Sequence, residues 1–125
     1  MTDQPSGGRD VFYLTHMLEC IESIERYSAT LDIESDEVAQ DAILRKLQLL
    51  TESSKRVSDV CKIAHPEIPW RELSGFRNVV VHDYLGIRIE RIVPIIHKDI
   101  PALKSKILAI TARIGDPTGD SESSE

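Results

Sequence analysis

Aromatic side chains make up only 5% of the 125 residues, so any core in this chain must be aliphatic. Cysteine is almost absent. Cys20 and Cys61 each fall inside a helical pattern, which points to reduced, buried thiols and not to a disulfide framework. No apolar run approaches the length of a membrane span, and the N-terminus lacks the basic-then-apolar layout of a signal peptide. Both point to a cytoplasmic protein with no membrane contact. Excess positive charge is missing too: the formal net charge is −6, which excludes a general nucleic-acid binder with a long basic face. Part of that charge is local. Asp116, Asp120, Glu122 and Glu125 crowd the last residues, leaving 17 acids against 15 bases in residues 1–114. A near-neutral body leaves room for a confined basic cleft of modest affinity.

What is present reads as helix. The length fits one domain with a modest core, and 41% hydrophobic with 29% charged residues is ordinary for a globular protein. Residues 1–8 are polar and glycine-containing, expected as a flexible lead. From about Arg9 to Tyr27, Leu14, Met17, Leu18, Ile21 and Ile24 recur at three- and four-residue steps, one buried face of a helix. His16 falls off that stripe and is expected at the surface, with a place at a cleft as the lesser alternative. Ser35 or Asp36 caps a second helix, expected to continue to about Ala64 with Ala39, Ile43, Leu47, Leu50, Ser54, Val57, Cys61 and Ala64 along one face. At 1.5 Å per residue it would span roughly 45 Å, long enough to need a packing partner besides its own chain. Ser53 and Ser54 are small enough for a close helix approach. Cys61 and His65, four apart, are too few ligands for a zinc site, so no metal is expected.

His65-Pro66 stops that helix, and the next begins near Pro69 with Trp70, Leu73, Phe76 and Val80 as apolar positions. Gly75 in mid-helix costs about 1 kcal/mol relative to alanine, which suggests a close backbone contact. Gly86 is a natural break. A last helical region over about 87–114 carries a long isoleucine stripe, and Pro101 should kink or split it near His97–Ile100. Residues 115–125 have the composition of a disordered acidic tail. The expected architecture is an all-α, up-and-down bundle of four to five helices over residues 9–114.

One stretch stands apart. Between Trp70 and Gly86 the chain places Arg77, Asn78, His82 and Tyr84 within eight residues. A guanidinium is a permanently charged fork that fits phosphate, and an imidazole moves protons near neutral pH. The pair suits metal-free phosphodiester cleavage, although helical proteins also carry Arg and His side by side with no chemistry attached. On a regular helix Arg77 and His82 stand about 140° apart. Either the helix ends before His82, or the two flank a cleft that another surface completes.

The string Pro69-Trp70-Arg71, Gly75-Phe76-Arg77-Asn78 and Val81-His82-Asp83-Tyr84 resembles the HepT-like toxins of the HEPN ribonuclease superfamily, including their Arg-x(4–6)-His signature. The likeness covers most of residues 9–114. It implies a cofactor-free endoribonuclease toxin acting on RNA, with Arg77 and His82 as catalytic residues in a homodimer cleft. The residues suggest the same assembly, because one chain offers His82 as its obvious acid or base and a two-fold dimer supplies two. Asn78 would orient Arg77 or a phosphate oxygen, while Asp83 would cap a helix or tune the imidazole. Glu52 and Lys55, with Arg56, are either a solvated face or the border of the cleft, the latter being what the resemblance suggests. The resemblance also implies a minimal nucleotidyltransferase antitoxin that transfers AMP from ATP onto Tyr84. The rival reading is a catalytically inactive helical partner of a nucleotidyltransferase.

Overall fold

The computed structural model describes the backbone of residues 3–82 and 89–114, and the side chains of residues 8–76 and 91–113. Every regular element among the described residues is helical: α1 (Asp3–Thr30), α2 (Glu37–Arg56), α3 (Asp59–Ala64), α4 (Trp70–His82), α5 (Ile89–Pro94), a π-helical turn (Ile95–Asp99) and α6 (Ile100–Ile114). The long helices form the expected all-α bundle. α1 packs on α2 and α6, and α2 packs on α4.

α1 begins at Asp3, earlier than the hydrophobic stripe implied. Pro5 lies in the first turn, where its missing N–H would have had no helical acceptor. Leu14, Met17, Ile21 and Ile24 are fully buried, as their spacing requires. α2 starts under Asp36, whose carboxylate accepts from the backbone N–H groups of Val38 and Ala39 at 3.0 and 3.3 Å. Ala39, Ile43, Leu47 and Leu50 face α1 and complete an aliphatic core in which each buried leucine or isoleucine contributes about 1.5–3 kcal/mol.

The second helix is not one long rod. It ends at Arg56, Val57 turns to extended backbone, and Ser58 caps a separate short helix, its hydroxyl accepting from the Cys61 N–H at 3.1 Å. The cause lies across the bundle. The buried Asp10 carboxylate of α1 takes the Ser58 N–H and hydroxyl, so a capped break satisfies more polar groups there than a continuous helix would. A partner-demanding 45 Å helix is therefore absent, and Ala64, expected in the core, is exposed. Asp10–Ser58 and His16–Ser53 also fix α1 and α2 as antiparallel neighbours.

Pro66 ends α3 as expected, and α4 starts at Trp70 with the indole N–H donating to the His65 carbonyl at 3.0 Å. Leu73 is fully buried, but among the described residues Gly75 meets no close neighbour. An added Cβ there would meet none of them within 4 Å. The last region divides where Pro101 predicts. The Ile100 N–H reaches back five residues to the Ile95 carbonyl, and the π turn absorbs the register change before Pro101, which has no N–H to donate. Ile92, Ile96, Ile100, Leu103, Ile107 and Ile110 remain on the buried side of α5, the turn and α6. His97 is exposed, and Lys104 Nζ ties α6 to Glu25 of α1 at 2.9 Å.

Candidate active site

The Arg-Asn…His string lies on α4, held at its start by the Trp70 indole bond, the Lys62 ammonium 5.7 Å from the indole centroid, and the burial of Leu73. The helix runs without interruption through positions 77, 78 and 82. This removes the alternative of an early end before His82. The side chains of Arg77, Asn78 and His82, and the whole of Asp83 and Tyr84, lie outside the described residues.

The remaining candidates are on α2 and part company. Glu52 is exposed, accepts from Gln48 Nε2 at 3.4 Å, and lines a groove between α1 and α2. Lys55 is also exposed but is not among the residues that line it. The groove walls are Phe12, Tyr13 and His16 from α1 with Glu52, Ser53 and Arg56 from α2, and Leu49 contributes apolar surface. Its volume, counted to the open mouth, is about 470 Å³.

Several groove residues escaped the sequence reading. His16 is half-buried, not a free surface residue, and its Nδ1 is hydrogen-bonded to Ser53 Oγ at 2.6 Å. Phe12 is 65% exposed and meets Tyr13 edge-to-face, with ring centroids 5.1 Å apart. The Arg56 guanidinium beside the Tyr13 phenol holds it below its usual pKa; Arg9 acts in the same direction, while partial desolvation opposes them. A signal existed in the spacing. Arg9, Phe12, Tyr13 and His16 recur at three- and four-residue steps beside the core stripe, as do Leu49, Glu52, Ser53 and Arg56 on α2.

The two cysteines are free and buried. Burial, with the Asp10 carboxylate nearby, pushes the Cys61 thiol up to about 11, and burial also raises that of Cys20. Neither is poised as a nucleophile. Among the described residues no group of three or more His, Cys, Asp or Glu side chains is placed to hold a metal, and no helix is long and apolar enough to cross a membrane.

Comparison with known proteins places residues 17–110 on the model of a family described as Ribonuclease HepT-like. A protein named probable ribonuclease HepT, from Thermococcus cleftensis, is 36% identical over 97 residues, covering 75% of this chain and 88% of the relative. A provisionally named RNase from Caldanaerobacter subterraneus subsp. tengcongensis is 33% identical over 101 residues, covering 78% and 90%. A Methanocaldococcus jannaschii protein named both as a gamma-glutamylcyclotransferase and provisionally as an RNase is also 33% identical over 101 residues; the match spans 46% of its length. No solved structure matches the chain.

Proposed function

Because this chain belongs to the HepT-like ribonuclease family, we propose that it is the toxin of a toxin–antitoxin pair, a metal-independent endoribonuclease acting through Arg77 and His82 in a cleft shared by two protomers. One observation carries this reading. The family match spans the whole Arg77-Asn78…His82-Asp83-Tyr84 string, and α4 is continuous through its catalytic positions.

The chemistry follows from the residue types. The ribose 2′-oxygen attacks the adjacent phosphorus as an imidazole takes its proton. The bond to the 5′-oxygen breaks, an imidazolium protonates that oxygen, and a 2′,3′-cyclic phosphate remains. Arg77 carries the charge that builds on the non-bridging oxygens, and its fork suits the phosphate better than a point charge. Asn78 beside it orients the guanidinium or a phosphate oxygen.

Positions 77 and 82 stand about 140° apart around the axis of a continuous helix. A second chain across a two-fold axis then supplies the complementary pair, giving two imidazoles for the two proton transfers. Asp83 tunes or orients His82, and Lys55 serves the cleft border as a surface charge. The cognate minimal nucleotidyltransferase acts as antitoxin in the cytoplasm by transferring AMP to the Tyr84 hydroxyl. The added phosphate competes with RNA for Arg77 and fills the cleft.

The test is incubation of unmodified protein with RNA in EDTA, beside His82→Ala and Arg77→Ala variants. Cleavage ending in 2′,3′-cyclic phosphate, lost in both variants, is the expected result. Equal cleavage by all three would assign the activity to a contaminant. Absence of cleavage by unmodified protein would turn the reading to an inactive partner of the nucleotidyltransferase.

A further inference from the structure

The α1–α2 groove takes no part in bond cleavage, although two of its walls, Glu52 and Arg56, are residues that the resemblance sets at the cleft border, and it combines features that single-stranded nucleic acid uses. Phe12 presents 65% of its surface to solvent, an unusual position for a large ring in a chain that is only 5% aromatic. Tyr13 meets it in a T-shaped contact, and the Phe12 ring lines the groove wall. Bases stack on such rings whatever their identity.

Charge is distributed unevenly along the groove. Arg56 lines the groove beside Tyr13, and Arg9, one helical turn before Tyr13 on α1 and outside the lining, joins Arg56 in lowering the pKa of that phenol. A guanidinium has five N–H donors, and one phenol oxygen occupies few of them, so both cations keep donors for an anion at the mouth. His16 and Ser53, bonded to one another at 2.6 Å, also line it, and Glu52 is engaged by Gln48. Phe12 and Arg56 face the same groove, so one nucleotide can set its base on the ring and its phosphate toward the guanidinium. The enclosed volume of about 210 Å³ is smaller than a drug-sized pocket and suits part of one nucleotide, the rest lying in solvent.

We propose that this groove is a binding subsite for one nucleotide of single-stranded RNA, its base stacked on Phe12 and its phosphate held between Arg9 and Arg56. The subsite rests on the ribonuclease reading, and positions substrate without taking part in bond cleavage. It also accounts for how an acidic chain can hold RNA: two local cations and a stacking ring stand in for a broad basic face.

The test measures binding apart from cleavage. In a His82→Ala background, fluorescence anisotropy with a labelled, unstructured oligoribonucleotide is followed across a salt series for Phe12→Ala, Arg56→Gln and Arg9→Gln. Each should weaken binding about tenfold. The salt slope should fall by about 0.7 for either arginine variant and stay unchanged for Phe12→Ala. All three positions are exposed, and circular dichroism melts check that the variants stay folded. Parental affinity and slope in all three, with the wild type still cleaving RNA, would overturn the subsite and leave the ribonuclease reading intact. Absence of both RNA binding and cleavage by the wild type would remove that reading, and the subsite with it. Unchanged affinity with an altered oligomeric mass would make the groove a protein interface. A free mononucleotide that displaces the oligomer at equal concentration would make it a soluble-nucleotide site, against the proposal.

Discussion

The Asp10 carboxylate, 4% exposed, accepts the Ser58 backbone N–H at 2.8 Å and the Ser58 hydroxyl at 2.7 Å. Ser58 Oγ in turn accepts the Cys61 N–H, so one carboxylate on α1 fixes the break between α2 and α3 and the cap of the short helix. Removing it strands a half-buried N–H and hydroxyl. Asp10→Ala should therefore destabilise the protein by about 2–3 kcal/mol, lowering the melting temperature by about 10 °C. Asp10→Asn should cost less, since its amide oxygen can still take the N–H. Thermal melts of the two variants check the order, and an Asp10→Ala protein as stable as the parent would show that the break does not depend on this contact.

Cys61 sits under the same cap, and its raised pKa gives the fold an alkaline limit. The thiol has a usual value of 9.0 and is pushed to about 11 when folded. Between those values the unfolded chain has lost this proton and the folded chain has kept it, so stability falls as pH rises through the window. Below pH 9 the contribution is flat. Denaturant titrations from pH 8 to 11 should show a decline that is shallower in Cys61→Ala. Iodoacetamide should label Cys61 far more slowly in the native protein than after unfolding.

Gly75 is open to improvement within the chain. It lies in mid-α4 at an intermediate exposure, with no described residue within 4 Å of where a Cβ would project. Gly75→Ala should raise stability by about 0.5–1 kcal/mol through the lower entropy of the unfolded chain. Chemical denaturation at low protein concentration measures it. A loss of stability together with weakened self-association would instead place Gly75 against the second protomer.

The elements that repeat locally were legible in sequence, and those that depend on distant partners were not. The α1 stripe of Leu14, Met17, Ile21 and Ile24 is a local period, and all four residues are buried. Asp36 as a cap and Pro101 as a divider act within one turn of their own positions. The break at Ser58 is different. Ser58-Asp59 is a plausible cap by composition, but the apolar period runs straight through it, and the carboxylate that decides the matter is 48 residues away. His16 was misplaced for the same reason, because Ser53 is 37 residues distant. Gly75 misled in the opposite sense, its composition suggesting a contact that no described residue of this chain makes. The string on α4 stood out because its residue types carry chemistry at short spacing, whereas the groove residues are ordinary types gathered by two helices.

On the proposed reading, Tyr84 separates RNA cleavage from its control. A phenol two residues beyond His82 is not needed for either proton transfer if two imidazoles share the work, so Tyr84→Phe should keep RNA cleavage within about twofold of the parent. The same change removes the only hydroxyl on that side chain, and AMP transfer requires an oxygen nucleophile to displace pyrophosphate from ATP. Incubation with the cognate nucleotidyltransferase and ATP should therefore add AMP to the parental peptide containing residue 84 and silence the nuclease, while the Tyr84→Phe protein gains no mass there and stays active. A Tyr84→Phe protein inactive before any transferase is added would instead move the phenol into the cleavage step. AMP found on the same peptide of that variant would assign the modification to another side chain.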